Sequence, residues 1–242
     1  MQHEVNAIGQ PIGFTVGGWK PPPRPPREPM IGRTCRVEPL DPARHGAELH
    51  AANALDVSNS NWTYLPYGPF ASFDEYAGWL SGVAAGADPM FHAIVDLATG
   101  EAVGLASYLR IDPAAGSIEV GHINYSPKLQ RRIAATEAMY LMMKRAFELG
   151  YRRYEWKCHA LNAPSRAAAQ RFGFSYEGLF RQAWLNKGRN RDTTWFSIID
   201  SEWPALREAF ERWLAPANFD AGGRQRMSLS TLTGPLLKAR EP

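Results

Sequence analysis

Hydrophobic and polar residues alternate in short segments along the first half of the chain, and short turns separate these segments. The pattern predicts strands at Thr34–Leu40, Phe91–Asp96, Ala102–Ile111 and Ser117–Tyr125. Helices are predicted at Arg44–Ala54, after the cap at Asp41-Pro42, and from Ser72, where Ser followed three residues later by Glu75 opens a helix to about Ala85. Three consecutive strands with short connections indicate an antiparallel meander.

The second half alternates helices and strands. A helix is predicted from Thr136, as N-cap with Glu137 in its first turn, to Gly150, and its apolar face is Met139, Met142, Met143, Ala146 and Phe147. The later elements are the strand Arg153–His159, the helix Ala163–Phe172, the hairpin strands Ser175–Asn186 and Arg191–Ile199, and the helix Glu202–Leu214. The methionines are expected to be core residues. The fold class is α+β with a mixed, mostly antiparallel sheet.

The two flanking segments differ from this pattern in composition. Residues 1–30 are rich in proline and form a predicted N-terminal extension that lies on the domain surface, while residues 215–242 form a C-terminal tail that is expected to be poorly ordered. The domain itself is expected to span residues 31–214. The arginines and lysine around the hairpin turn, Arg181, Lys187, Arg189 and Arg191, are expected to form a solvated face.

Composition narrows the class of protein. A hydrophobic content of 45% supports a full core, and no run of 18 apolar residues predicts a membrane span. The two cysteines favour a reducing cytoplasm over a disulfide framework, and the N-terminus lacks the pattern of a secretory signal. A net charge of +3 is too small to indicate DNA as a partner. No His or Cys residue has metal-type spacing, so no metal is expected.

One acidic residue lies in the strand Ser117–Tyr125. Glu119 shares a strand face with Gly121 and Ile123, so burial would raise the pKa of its carboxyl and allow it to act as a base. The alternative is a carboxylate on the sheet surface that pairs with an arginine. The strand position alone leaves the two interpretations open.

Two further segments have both a structural and a functional interpretation. The loop Gln130–Thr136 leads into a helix, whose free amide groups, with Arg131 and Arg132 nearby, could hold a phosphate. Asn162 is a good helix N-cap. It could also contact a bound ligand, and Ser165 could then donate a proton to that ligand. Between two helices, Trp62, Tyr64 and Tyr67 could line a substrate pocket or form an aromatic cluster that holds their loop.

The order of these motifs resembles the GNAT family of acetyl-CoA-dependent N-acetyltransferases, in particular the ribosomal-protein N-terminal acetyltransferases of the RimJ/RimL type. The resemblance covers roughly Gly32 to Leu214. It rests on Ile118-Glu-Val-Gly-His122, Gln130-Arg-Arg-Ile-Ala-Ala-Thr-Glu137, Leu161-Asn-Ala-Pro-Ser-Arg166 and Arg171-Phe-Gly-Phe-Ser-Tyr-Glu-Gly178, and on the ending from Gly188-Arg-Asn-Arg-Asp192 to Glu202-Trp203.

The resemblance implies a sheet that is splayed between the strands of Glu119 and Trp156, with acetyl-CoA as co-substrate. It implies Glu119 as the base, Ser165 as the proton donor and Asn162 as the residue that positions it. The cofactor-binding residues it implies are Ile123, Asn124, Tyr125, Gln130, Arg131, Arg132, Ile133, Ala134, Ala135, Thr136, Asn162 and Arg166. The acceptor would be a primary amine of a small molecule or a protein N-terminus, and the protein a monomer or a homodimer.

One position departs from the family's usual pattern. The pyrophosphate loop of the family usually has a glycine where this chain has Ile133, and a β-branched residue restricts φ and fills space. We interpret the loop as a variant form. The alternative function is a non-catalytic acyl-CoA-binding or regulatory module, and a third, ranked below both, is an RNA- or ribosome-associated binder.

Overall fold

The computed structural model describes residues 3–241, which form one large sheet, one small hairpin and several helices. The hairpin consists of β1 (His3–Val5) and β2 (Pro11–Gly13). The large sheet has the order β3-β4-β5-β6-β7-β8-β10-β9. Its strands are β3 (Met30–Ile31), β4 (Cys35–Pro39), β5 (Met90–Asp96), β6 (Ala102–Asp112), β7 (Ser117–Tyr125), β8 (Arg153–His159), β9 (Ser175–Asn186) and β10 (Arg189–Ile199).

Six α-helices belong to the described part of the chain, and they cover both faces of the sheet. They are α1 (Pro42–Asn53), α2 (Phe73–Ala84), α3 (Ile133–Glu148), α4 (Ala163–Arg171), α5 (Trp203–Leu214) and α6 (Leu229–Thr233). The predicted cap of α2 is present, because the Ser72 side chain accepts a hydrogen bond from the Glu75 amide at 3.2 Å. The predicted α+β class with a mixed sheet flanked by helices is confirmed.

The sheet opens between its two central strands. All neighbouring strands are antiparallel except β7 and β8, whose parallel pairing starts at Ser117 with Arg153 and ends at Val120 with Trp156. Beyond Val120 the strands are no longer paired, and β7 bulges against β6 with His122 at a φ of 50°. The predicted splay is therefore confirmed, and it leaves a gap that β8 does not fill.

Two hydrophobic cores lie on the two faces of the sheet. The larger one packs α3, α5 and α6 against the central strands, and the smaller one packs α1 and α2 against β5 and β6. The methionines of α3 are buried in the larger core, as the helical spacing predicts.

The start of α3 differs from the prediction. The N-cap is Arg132 rather than Thr136, so the helix begins one turn earlier. Glu137 is buried, and its carboxylate accepts hydrogen bonds from the amides of Arg33 at 2.8 Å, Thr34 at 2.6 Å and Cys35 at 3.2 Å. The Thr-Glu pattern therefore anchors the helix to the segment between β3 and β4 instead of capping it.

Both flanking segments contact the domain. In the N-terminal segment, Arg27 donates hydrogen bonds to the carbonyl groups of Ala84, Ala85 and Gly86 at the end of α2, and Arg145 donates to the carbonyls of Glu28 and Pro29. The expectation that the C-terminal tail is poorly ordered is wrong. Leu229 and Thr233 of its helix α6 are fully buried, because α6 packs against α4 and α5.

Among residues 3–241, the structure contains no helix with the length and apolar character needed to cross a membrane.

Candidate active site

One large cavity of about 1770 Å³ lies where β7 and β8 part. Most of the residues that the sequence singles out line it, although they come from distant parts of the chain. They are Tyr64, Glu119, Ile123, Asn124, Tyr125, Gln130, Arg131, Arg132, Ile133, Ala135, Thr136, Asn162 and Ser165. The structure therefore brings the three separate motifs to a single site.

Four of the residues singled out do not line this cavity. Ala134 is buried in the larger core, and Arg166 pairs with Glu241 at 2.9 Å. Trp62 is buried in the smaller core, and the Tyr67 ring stacks on His122, with its hydroxyl 3.3 Å from Nδ1 of that histidine. For these two residues the structure has the aromatic cluster that was the alternative interpretation of the loop.

The start of α3 forms one end of the cavity. Its first amide groups have no partner within the helix, and its N-cap residue Arg132 makes no side-chain capping bond. Arg131 precedes it in the left-handed region at a φ of 62°, and Arg171 donates to the Thr136 hydroxyl at 3.0 Å. Free amides, a helix dipole and nearby guanidinium groups together suit a phosphate.

Ile133 fits this arrangement without strain. It is the first residue of α3, has ordinary helical backbone geometry, and packs its side chain against the larger core. The positive φ of the loop lies at Arg131 instead. The isoleucine has no left-handed backbone conformation, so this position does not need the conformational freedom of a glycine.

Glu119 lies deep in the cavity wall and carries two ion pairs. Its side chain is 3% exposed, and its carboxylate accepts from Arg110 at 2.8 Å on both oxygens and from Lys157 at 2.9 Å. Burial raises the pKa of Glu119 above its usual range, although the charges of Lys157 and Arg110 oppose that shift. The structure thus has the burial that the first interpretation expects and the arginine pair that the second expects, but the carboxylate does not lie on the sheet surface.

Ser165 and Asn162 lie on the opposite side of the gap, at the start of α4. Asn162 accepts from the Ser165 amide at 3.2 Å and so serves as the helix cap. The Trp156 indole donates to the Ser165 hydroxyl oxygen at 3.1 Å. Since an indole N–H only donates, this contact leaves the hydroxyl hydrogen of Ser165 for an acceptor, and the Cys158 sulfur is one acceptor within its reach.

The structure adds residues to the site that sequence reasoning missed. Lys157 lies 3.7 Å from the centre of the Trp195 ring and also pairs with Glu155 at 2.7 Å. The prediction of a solvated face is wrong for Arg191, which is half-buried and lines the cavity. The alternation Arg153-Tyr-Glu-Trp-Lys157 signals a charged strand face, but it does not indicate which partners that face meets.

The C-terminal tail closes part of the cavity wall. Phe219, Arg224 and Gln225 line it, and the Trp213 indole holds the tail by donating to the Gln225 side chain at 2.8 Å. Asn124 also faces the cavity, and it is buried with both polar side-chain atoms unpartnered among the described residues. A ligand that carries hydrogen-bonding groups would satisfy this amide.

Fold and site together define a class of protein that binds an extended anionic ligand between two parted strands. Acetyl-CoA fits these features, because its phosphates suit the start of α3 and its amide-containing arm suits the unpaired strand edges and Asn124. Among residues 3–241, no group of three or more His, Cys, Asp and Glu side chains is placed to hold a metal ion.

Comparison with known proteins identifies the family. A family model described as an acetyltransferase (GNAT) domain matches residues 39–175. The chain belongs to the GNAT family, and the protein is an acetyl-CoA-dependent acetyltransferase. No curated protein sequence matches it.

Solved structures agree with this assignment. A GCN5-related N-acetyltransferase from Brucella melitensis is 48% identical, with a TM-score of 0.88 over 90% of this chain and 100% of that one. A probable acetyltransferase of the GNAT family from Chromobacterium violaceum ATCC 12472 is 44% identical, with a TM-score of 0.76 over 81% of this chain and 98% of that one.

A more distant structure shares the fold alone. It is an acetyltransferase from Salmonella typhimurium that modifies the N-terminal serine of ribosomal protein L7/L12, and it is 21% identical to this chain. Its TM-score is 0.60 over 71% of this chain and 99% of that one.

Proposed function

We propose that the protein moves the acetyl group of acetyl-CoA to a primary amine by direct attack, with both substrates bound at once. In this reaction the amine nitrogen bonds to the acetyl carbon while the carbon–sulfur bond breaks. The amine loses a proton to a base, and the departing thiolate gains one. The proposal rests mainly on one observation, namely that a single cavity contains the start of α3, the splay, Glu119 and Ser165.

The donor would lie along the gap. The amide groups at the start of α3, with Arg131, Arg132 and Arg171, would hold the pyrophosphate. The edge of β7 around Ile123–Tyr125 would bind the pantetheine arm as an added strand would. This is supported by the end of the β7–β8 pairing at Val120, beyond which β7 has no neighbour on that side.

Glu119 would act as the base through a water molecule. A carboxylate has about four lone-pair positions, and Arg110 and Lys157 occupy three of them, which leaves one for a water. The two cations also fix the orientation of the carboxylate. The raised pKa of Glu119 supports this role, because a base works best when its pKa approaches the working pH.

Ser165 would protonate the departing thiolate. The Trp156 indole fixes the hydroxyl oxygen, and Asn162 fixes the helix turn on which Ser165 lies. A thiol has a reference pKa of about 8.5, so the departing CoA thiolate takes up a proton at neutral pH, and Ser165 would supply it.

Direct attack is favoured over a relay through cysteine. The sequence contains two cysteines, and of these only Cys158 lines the cavity. Burial raises the pKa of the Cys158 thiol, and a neutral thiol is a poor nucleophile. A covalent acetyl-cysteine intermediate is therefore not part of the proposal.

The sequence supports a proposal for the acceptor and for the setting. The RimJ/RimL-like motifs support a protein N-terminus as acceptor, and a small-molecule amine is the other candidate. Work in the cytoplasm, as a monomer or a homodimer, is consistent with the cysteine usage.

Isothermal titration with acetyl-CoA, followed by a thiol-release assay over a panel of amines, tests the proposal. Binding heat together with CoA release on at least one amine is the expected result. Absence of binding heat would refute the proposed transfer from acetyl-CoA. Binding without release on any amine would favour the non-catalytic acyl-CoA-binding module, and an S-acetyl-pantetheine titration controls for binding through the arm alone.

A further inference from the structure

Positive charge dominates the cavity wall. Seven of the eight charged side chains that line the cavity are cationic, and Glu119 is the single acid. Three of the cations, Arg110, Lys157 and Arg191, lie around Glu119, away from the arginines at the start of α3. Because Arg110 and Lys157 already neutralise Glu119, this part of the cavity keeps an excess of positive charge.

Among residues 3–241, Arg191 differs from Arg110 and Lys157 in having no paired acid. It forms no ion pair within residues 3–241, and its one side-chain hydrogen bond runs from Nε to the Thr193 hydroxyl at 3.3 Å. Thr193 pairs with His159, the last residue of β8, so Arg191 lies just past the end of that strand, where the gap is open. A half-buried guanidinium without an acid is costly unless a ligand supplies the anion.

The neighbouring imidazoles do not supply that anion. Burial and, after it, the charges of Arg110 and Arg191 together lower the pKa of His122 to about 4. The pKa of His159 is also lowered, by burial and then by Arg191. Both rings are therefore neutral near pH 7 and carry no charge beside Arg191. Glu119, which already pairs with Arg110 and Lys157, is then the one acid of the cavity wall that acts on the Arg191 charge.

The donor does not account for Arg191. The α3 end of the cavity has its own cations for phosphate, namely Arg131, Arg132 and Arg171, together with free helix amides. Polycationic acceptors such as polyamines are disfavoured as well, because the wall near Glu119 would repel them. The cavity wall around Glu119 is complementary in charge to an acceptor that carries a negative charge of its own.

We propose that the acceptor carries a carboxylate beside its amine, and that Arg191 binds this carboxylate. The proposal rests on the acetyl transfer proposed above. A guanidinium binds a carboxylate through two parallel hydrogen bonds, which would also fix the direction of the amine. A free amino acid and a peptide with an acidic residue near its N-terminus both carry such a carboxylate.

Matched acceptors in the thiol-release assay test this at saturating acetyl-CoA. One arm compares alanine with alaninamide, and a second compares amidated peptides that differ by aspartate or asparagine at the second position. A third arm uses spermidine. The acid-bearing member of at least one pair is expected to have a kcat/KM about 10- to 100-fold higher, as the loss of a charged hydrogen bond implies.

The Arg191→Gln variant should remove this preference and leave the acetyl-CoA Kd unchanged, while Arg191→Lys should keep part of it. Arg189→Gln is the matched control, because Arg189 lies on the same strand but is exposed and outside the cavity. It should behave as the unmodified protein. If Arg191→Gln does not fold, Arg191→Lys becomes the test. A reduced preference for the acid-bearing acceptor would then support the proposal, and an unchanged preference would overturn it.

The outcomes separate the two proposals. CoA release on no acceptor defeats the acetyl transfer itself. Release that favours the amides or spermidine overturns the carboxylate acceptor and leaves acetyl transfer intact. An equal loss of kcat for both members of a pair in Arg191→Gln would assign Arg191 to the leaving group or to the fold, and would also overturn it.

Discussion

Replacing Glu119 by glutamine tests the proposed base while keeping the shape of the side chain. Glutamine cannot take a proton, so turnover should fall, whereas the acetyl-CoA Kd should hold because Glu119 lies away from the start of α3. General bases contribute about 100- to 10,000-fold. We expect about 100-fold, or about 3 kcal/mol, at the lower end of this range, because the charges of Arg110 and Lys157 oppose part of the rise in the Glu119 pKa that burial causes.

The pH profile gives a second measure of the same residue. A raised pKa means that Glu119 becomes protonated, and activity declines, at a higher pH than for a carboxyl of ordinary pKa 4.5. This acidic limb should disappear in Glu119→Gln, measured with a weakly basic amine that stays unprotonated. Glu155→Gln is the matched control, since Glu155 also pairs with Lys157 at 2.7 Å but does not line the cavity. Similar kcat values for both variants, with the limb retained, would refute the assignment.

Three further changes probe other parts of the molecule. Ser165→Ala should lower kcat for acetyl-CoA by about 10- to 100-fold in the thiol-release assay. The loss should be smaller for an acetyl thiophenol ester, because its leaving group needs no proton. Equal losses for the two donors would contradict the role of Ser165 as proton donor. Arg171→Gln should weaken acetyl-CoA binding about tenfold by calorimetry but not S-acetyl-pantetheine binding, and equal weakening would count against a phosphate contact. Glu137→Ala leaves three backbone amides without their acceptor and should lower the free energy of unfolding by about 3 kcal/mol in urea; an unchanged midpoint would contradict this.

The strands of the site follow from local sequence, but the start of α3 does not. The predicted bounds Ser117–Tyr125 and Arg153–His159 agree with β7 and β8, because the turn residues on either side fix them locally. Thr136 looks like a cap only when its neighbours alone are considered. Its neighbour Glu137 instead binds amides about a hundred positions earlier in the chain, a contact that no local pattern reveals.

The order of the tail was also missed for a physical reason. Its glycines, serines and arginines suggest disorder, yet a few apolar residues are enough to dock it. Leu229 is fully buried, and Leu232 and Leu236 pack at the edge of the larger core. Docking depends on a groove between α4 and α5 that exists only in the folded domain, so composition alone cannot predict it.

The sequence indicates which donor the site binds more readily than it indicates the acceptor. The donor end is built from helix amides and a loop, which are recognisable from a contiguous sequence. The acceptor end is built from Arg110, Glu119, Lys157 and Arg191, which lie on four different strands and meet only through the register of the sheet. The excess positive charge there would also lower the pKa of a bound amine, because an ammonium would be repelled. The proposed carboxylate would then bring the acceptor in, while the same cations favour the deprotonated amine that direct attack requires.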